Sequence, residues 1–309
     1  MPELHKGTIT KTTRRVFSVT TDDYLNYNGK ILAKYIDLTV GDKITFKLQG
    51  YEAQLLEIHH RKNFFSRSYF DKTRNIAANL DKIFIVSAVD PLFNTLLIDK
   101  LAVAAEIQKI PISLIINKLD LLTTAIDDYT AVYKKSGYRV IAISVKKNLG
   151  IDILKQDIFQ STHKAILFTG TSGVGKSSLI NMLFPQAKKN VTAVSVKTGQ
   201  GKQTTSLAEA YVHSRENYTP LFVIDSPGIQ NFGLTKLLPE QVSSGFPEIF
   251  QLQRNCKFSD CTHTSENNCA VIKALNTGLI SQSRYYSYLK ILEESKRIPI
   301  YARYGSLGK

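Results

Sequence analysis

The nine residues GTSGVGKSS, at positions 170–178, constrain the fold of this chain more than any other stretch. They fit the phosphate-loop pattern G-x-x-x-x-G-K-[ST] in full. They also follow the apolar run AILFT and open the helical text KSSLINMLF, the strand–loop–helix setting that pattern requires. Gly170, Thr171, Ser172, Gly173, Val174 and Gly175 would present backbone N–H groups to a phosphate at a helix N-terminus. Lys176 would reach the β- and γ-phosphates, the Ser177 hydroxyl would bind Mg²⁺, and Ser178 would complete the first turn.

The text around this loop reads as an α/β domain. KIFIVSAV, ISLIIN, RVIAIS, AILFTG and LFVID are short apolar strands. They alternate with helical stretches such as TLLIDKLAVAAEIQK, whose Leu97, Leu101 and Ala105 fall on one face. That alternation predicts a mostly parallel sheet covered on both sides. A further strand is expected at SLAEAYVH and a polar helix at residues 127–135.

A phosphate loop does not choose a base, but ISLIIN runs into Asn117-Lys118-Leu119-Asp120. The Asp120 carboxylate can accept hydrogen bonds from the ring N–H and the exocyclic amine of guanine, a donor pair adenine lacks. Discrimination of this kind reaches about 10⁴-fold. Asn117 would tie this loop to the phosphate loop, and the stem of Lys118 would cover the base. Ser144-Val145-Lys146, ending RVIAIS, resembles the loop that backs the guanine. Asp225-Ser226-Pro227-Gly228 suits a D-x-x-G switch, with Asp225 holding Mg²⁺ through water and the Gly228 N–H sensing the γ-phosphate. Between phosphate loop and switch lies KTGQGKQTTS, where Thr204 or Thr205 would complete the Mg²⁺ shell. The elements are all present but rotated, since the base-selecting loops precede the phosphate loop. One expectation follows: the switch strand leads straight into whatever comes after Gly228, and a γ-phosphate signal would pass along continuous chain toward a C-terminal unit.

The first 66 residues read as short strands and turns, among them ILAKYIDL, DKITFKL and EAQLLEI, and an oligonucleotide-binding barrel is one candidate. Beyond Leu234 the text is helical and includes SRYYSYLKILEESKR, a candidate amphipathic helix. All three cysteines lie here. Cys256, Cys261, His263 and Cys269 form C-x₄-C-x-H-x₅-C, a donor set that suits one structural Zn²⁺.

Composition narrows the partner. Lys and Arg outnumber Asp and Glu by 40 to 26, a formal charge of +14, and residues 161–205 carry six lysines and no carboxylate. With 15 Tyr and 15 Phe to stack on bases, this favours a nucleic-acid partner. Salt-sensitive binding would mark such a partner, and a flat response would favour a protein. No apolar run reaches the 18 or so residues of a membrane span, and the N-terminus lacks the apolar core of a secretion signal. A soluble, cytoplasmic, monomeric protein is expected.

Taken together, the rotated motif order, GTSGVGKSS, DSPG and the cysteine segment with its DCTHT resemble the bacterial ribosome small subunit-dependent GTPase A (RsgA/YjeQ) family over nearly the whole chain. The resemblance implies an N-terminal β-barrel of the oligonucleotide-binding (OB) fold at residues 1–68. It implies a circularly permuted α/β GTPase domain at 69–233 and a helical zinc-binding domain at 234–309. It also implies GTP hydrolysis stimulated by the small ribosomal subunit, contact with its rRNA, and a role in late maturation of that subunit. One position departs from the family pattern: Gln203 stands just before the paired threonines where members carry a histidine. Ile229 follows DSPG where many GTPases place a water-orienting glutamine. Gln203 is therefore the candidate catalytic group besides Lys176, orienting water through its amide rather than acting as a base.

Overall fold

The computed structural model describes residues 3–32, 37–69, 72–90, 93–185, 207–215, 218–234 and 237–297. The chain first builds a five-stranded barrel from β1 (Leu4–Thr12), β2 (Val16–Thr20), β3 (Asn26–Lys30), β4 (Lys43–Gln49) and β5 (Glu52–Ile58). The strands run in the order β1-β2-β3-β5-β4, and β1 also pairs with β4, which closes the ring. Alternation along β4 sends Ile44 and Phe46 inward to meet Ile9, Phe17, Val19 and Ala53, while Thr45 and Lys47 face outward. DKITFKL and EAQLLEI are thus strands, as their pattern predicts.

Of ILAKYIDL, Ile31, Leu32, Asp37 and Leu38 lie outside any strand, and residues 33–36 fall outside the described set. The Arg61 guanidinium bonds Asp42 at 2.6 Å and also reaches Asp37 and the Thr39 hydroxyl, which ties down residues 37–42 beside the barrel.

A hairpin follows, β6 (Phe64–Tyr69) and β7 (Lys72–Ala78), with Phe65 and Ala77 buried in the core of the next unit. That unit runs β8 (Lys82–Ala88), α1 (Thr95–Ile107), β9 (Ile112–Asn117), α2 (Asp127–Lys135), β10 (Arg139–Ala142) and α3 (Ile151–Phe159). It continues with β11 (Ala165–Gly170), α4 (Lys176–Leu183), β12 (Glu209–Arg215) and β13 (Tyr218–Asp225). Its sheet order is β10-β9-β8-β11-β13-β12; the first five are parallel, and β12 returns antiparallel to β13. Both faces are covered, as the continuous apolar strands predict. Ile83, Ile85, Leu114 and Leu167 pack toward α1, whereas Phe84, Val86, Ile115 and Phe168 pack toward α3 and α4. Helix α3 has no counterpart in the sequence reading. Its Ile151, Leu154 and Ile158 are spaced for a helix but sit among polar residues.

The barrel joins this sheet. Strand β1 pairs with edge strand β12 at Lys11 and Glu209, whose side chains also form an ion pair at 3.3 Å, so eleven strands form one continuous sheet. Pairing covers an edge that would otherwise present open hydrogen-bonding groups.

The C-terminal segment folds as α5 (Pro247–Gln253), α6 (Ala270–Asn276) and α7 (Gln282–Lys296). Val242, Phe246, Ile249, Val271, Tyr288 and Ile291 form its core, and Val103 of α1 joins them. Among the described residues no helix is long and apolar enough to cross a membrane.

Candidate nucleotide and metal sites

The sheet brings the rotated loops together at the C-terminal ends of β9, β10, β11 and β13, where open α/β sheets bind ligands. Asn117, at the end of β9 and almost fully buried, donates through Nδ2 to the Val174 carbonyl at 2.8 Å and accepts from the Val145 N–H at 3.1 Å. One side chain therefore links NKLD, SVK and the phosphate loop. Gly175 must be glycine here: its φ is +87°, and a Cβ would lie 2.5 Å from Asn117 Nδ2.

Asp120 takes a hydrogen bond from the Ser144 hydroxyl, which in turn accepts from the Lys147 N–H at 3.1 Å. The Ser144 bond holds the Asp120 carboxyl below the ordinary aspartate range, so it stays an acceptor. Lys118 adopts the left-handed conformation, φ 65°, and its Nζ lies 3.8 Å from the Asp90 carboxylate, a neighbour that no motif announces. Leu119 donates its N–H to Ile143 at 3.1 Å, which joins the ends of β9 and β10.

Lys176, buried at the start of α4, bonds Asp225 and the Ser226 carbonyl, and the Ser177 hydroxyl donates to Asp225 at 3.4 Å. Burial pushes the Asp225 carboxyl up from its usual range, and the Lys176 charge opposes that shift. A phosphate-loop hydroxyl and a carboxylate from the end of β13 are the hard oxygen donors Mg²⁺ takes beside substrate phosphates. Gly228 passes within van der Waals range of the loop, since a Cβ there would lie 3.0 Å from the Ser172 Cα. Ile229 is fully buried and donates its N–H to Gly170 at 3.0 Å, so this position offers no group to orient water. Gln203, Thr204 and Thr205 lie outside the described residues.

Beyond Gly228 the chain does not pass straight to the C-terminal unit. Phe232 stacks on Phe65 with centroids 5.6 Å apart, and Ser68 donates its N–H to the Gly233 carbonyl at 3.0 Å. The chain just after the switch is therefore zipped first onto the β6–β7 hairpin, a contact invisible in the linear text.

Cys256, Cys261, His263 and Cys269 converge with all their ligand atoms within 4.8 Å of one another. Cys256 Sγ lies 3.9 Å from Cys269 Sγ, and His263 Nδ1 lies 3.6 Å and 3.5 Å from these two sulfurs. A tetrahedron with Zn–S bonds near 2.3 Å has edges of roughly 3.8 Å, so the spacing fits such an ion. Burial lowers the His263 pKa, which keeps the imidazole neutral and able to ligate, and pushes the Cys261 thiol up to about 12. A metal bound here must displace those thiol protons.

The loop carrying these ligands is braced from both sides. Glu266 accepts from the Thr262 N–H at 2.7 Å, the Thr262 hydroxyl at 2.6 Å, the Thr264 N–H at 2.8 Å and the Ser265 N–H at 3.1 Å. Although burial opposes it, these bonds bring the Glu266 carboxyl down to about 2. From α7, the Tyr285 and Tyr288 hydroxyls donate to the carbonyls of His263 and Thr262 at 2.7 and 2.9 Å. Next to them Arg284 bonds Asp99 of α1 at 2.6 Å and Glu248 of α5 at 2.7 Å, fastening the metal unit to the α/β unit.

A phosphate loop joined to NKLD and SVK from upstream strands defines a circularly permuted GTPase. A family model described as RsgA GTPase matches residues 58–235, more than half of the chain, and the chain belongs to the RsgA GTPase family. Among its relatives, the small ribosomal subunit biogenesis GTPase RsgA 2 of Bacteroides thetaiotaomicron is 35% identical over 308 residues, covering 94% of this chain and 97% of that protein. The small ribosomal subunit biogenesis GTPase RsgA of Flavobacterium johnsoniae is 36% identical over 318 residues, 96% of each chain. The crystal structure of YjeQ from Thermotoga maritima superposes with a TM-score of 0.72 at 27% identity, covering 96% of this chain and all of that one. The structure of YloQ, a circularly permuted GTPase, has the same TM-score at 26% identity, covering 97% and 98%.

Proposed function

We propose that this GTPase acts in the cytoplasm, as a monomer, in late maturation of the small ribosomal subunit, and that contact with the subunit and its rRNA stimulates GTP hydrolysis. The observation that carries the nucleotide reading is the double bond of Asn117 to Val174 and Val145, which assembles one guanine-nucleotide site from loops in rotated order. The subunit reading rests on the names of relatives that align over nearly the full chain.

In this reading Asp120 takes the guanine N–H groups, with Ser144 holding the carboxylate in place. Lys118, Leu119, Val145 and Lys146 enclose the base. The N–H groups from Gly170 to Ser178 wrap the phosphates. With GTP bound, the Lys176 ammonium would leave Asp225 for the β- and γ-phosphates, and Ser177, Thr204 or Thr205, and Asp225 through water would hold Mg²⁺. The ion would supply charge neutralisation to the phosphates. Ile229 is buried and apolar, so water is oriented from elsewhere, and Gln203 is the residue assigned that task. A single Zn²⁺ on Cys256, Cys261, His263 and Cys269 holds the C-terminal unit together. Three units near residues 1–68, 69–233 and 234–309 divide the labour, and the β6–β7 hairpin straddles the first boundary.

The test is GTP turnover of wild type and Gln203→Ala, each with and without purified small subunits. Wild type should be slow alone and markedly faster with subunits, and the variant should lose the stimulated rate. No stimulation of wild type would overturn the subunit reading. A fully stimulated variant would remove Gln203 from the mechanism.

A further inference from the structure

Glu209 opens β12 and is flanked by strands of two different units. On one side it lies directly opposite Lys11 of the barrel strand β1, and the Lys11 Nζ donates to its Oε1 at 3.3 Å. On the other side it lies directly opposite Asp225 of β13. Residues opposed across an antiparallel pair carry their side chains on the same face, with Cβ atoms about 4.5–5.5 Å apart. Asp225 uses that face to meet Lys176 and Ser177 of α4, and Tyr211, two residues further along β12, packs against the same core as α4. The Glu209 carboxylate therefore stands on the phosphate-loop face of the sheet, not on the hairpin face.

Burial is the main force that pushes the Asp225 carboxyl up, and the nearby Glu209 charge adds to it. Two carboxylates at this range repel one another unless cations stand with them. Here Lys176 serves Asp225 and Lys11 serves Glu209. The second Glu209 oxygen, Oε2, has no hydrogen-bond partner among the described residues. In the nucleotide reading above, Lys176 leaves Asp225 for the phosphates. The two facing carboxylates then keep Lys11 alone as a counter-charge, and together they attract a hydrated divalent cation more strongly than Asp225 by itself. Mg²⁺ suits such a setting because it keeps several of its waters, which an outer carboxylate can accept from.

The geometry points to Glu209 as an outer residue of the Mg²⁺ site, favouring the ion beside Asp225, with Lys11 of the barrel setting how far the carboxylate is free to do so. Lys11 is then a positioning residue that acts on metal affinity through Glu209, and the barrel holds part of the metal affinity of the nucleotide site. An exposed ion pair contributes little to stability, so a purely structural role for these residues, 40% and 33% exposed, would leave metal affinity unmoved. The inference rests on the Mg²⁺–GTP reading above and adds one residue that favours the ion and one that couples it to the barrel.

The test measures the affinity of the full-length protein for a fluorescent, non-hydrolysable GTP analogue across a Mg²⁺ titration. Wild type is compared with Glu209→Gln, Glu209→Asp, Lys11→Met and the double variant Lys11→Met with Glu209→Gln, and melting temperature reports on folding. Glu209→Gln should raise the Mg²⁺ midpoint by about 3-fold, the scale of one partly exposed charge acting across several ångströms of screened solvent. Glu209→Asp keeps the charge and should retain most of the wild-type midpoint. Lys11→Met should lower the midpoint by about 2-fold, and in the Glu209→Gln background the same change should have no further effect. Melting temperatures should stay close to that of wild type. Equal midpoints in wild type and Glu209→Gln, or a Glu209→Asp midpoint as high as that of Glu209→Gln, overturn the inference while Mg²⁺-dependent binding leaves the parent reading standing. A Lys11→Met effect that persists undiminished beside Glu209→Gln overturns the positioning role, because the lysine then acts by its own charge. Wild type that binds the analogue equally well with and without Mg²⁺ would instead remove the parent reading.

Discussion

At the scale of single residues, the proposed reading makes base choice the work of one carboxylate and the hydroxyl that aims it. Asp120 has an ordinary-looking place in a four-residue loop, but the Ser144 bond lowers its pKa and fixes its direction. Replacing Asp120 with Asn swaps one acceptor oxygen for an NH₂ donor and leaves one of the guanine N–H groups facing an N–H. Asp120→Asn should therefore weaken GTP binding by about 10³-fold or more, because a polar site mismatched to its ligand loses far more than a contact. Xanthosine triphosphate, which carries an oxygen where guanine has its amine, should recover much of that loss. Competition of both nucleotides for a fluorescent GDP analogue measures the two affinities, and equal GTP affinity in variant and wild type would show that Asp120 does not read the base. The motif announced Asp120, Asn117 and Lys176 because each is tied to a local strand–loop pattern. Asp90 beside Lys118 and the Ser226 carbonyl on Lys176 carry no pattern, since each meets its partner only through the fold.

At the scale of elements, α7 does the joining. Its N-terminal turns carry Arg284, Tyr285 and Tyr288, which reach α1, α5 and the metal loop together. Arg284 is 1% exposed and its partner Asp99 is 0% exposed, and Phe246 lies under the guanidinium at 4.6 Å. Breaking such a pair leaves a carboxylate buried without its charge partner, at a cost of about 3–5 kcal/mol. Arg284→Met should lower the melting temperature by roughly 5–8 °C if the protein melts as one unit. Arg284→Met with Asp99→Leu and Glu248→Gln should recover part of the loss, and calorimetry on the two variants measures this. Equal melting of the single variant and wild type would show that the junction is held by apolar contacts alone. The sequence reading recognised α7 as amphipathic but not as a bridge. A buried arginine looks like any other helical arginine until its distant partners, 36 and 185 residues away, are in place.

At the scale of the whole molecule, three units share one framework: the barrel extends the α/β sheet through β1 and β12, and the C-terminal helices rest on α1. Metal removal therefore tests more than the cysteine loop. A strong chelator at elevated temperature should release one zinc ion per chain, measured by elemental analysis, and should loosen the region behind the loop. Hydrogen exchange should rise across α7 and the α1 face that Arg284 grips, while the barrel strands stay protected. Exchange changes confined to the cysteine loop would mean that α7 holds its place without the metal. Structural zinc contributes about 10–16 kcal/mol of binding energy in zinc-finger peptides, so with zinc on these four ligands its loss would outweigh any single hydrogen bond in this unit.

The amino-acid sequence by itself determined the classes of the parts. Phosphate loop, base loop, switch and metal ligands are each set by residues within a dozen or so positions, and strand and helix periodicity is equally local. Tertiary structure alone decided how the parts meet. The closure of Asn117 across β9 and β11, the zipping of Gly233 onto Ser68, the burial of Ile229 and the Arg284 junction all join residues far apart in the chain. Such contacts depend on sheet order and on which face each helix covers, and neither leaves a periodic trace in the residues themselves.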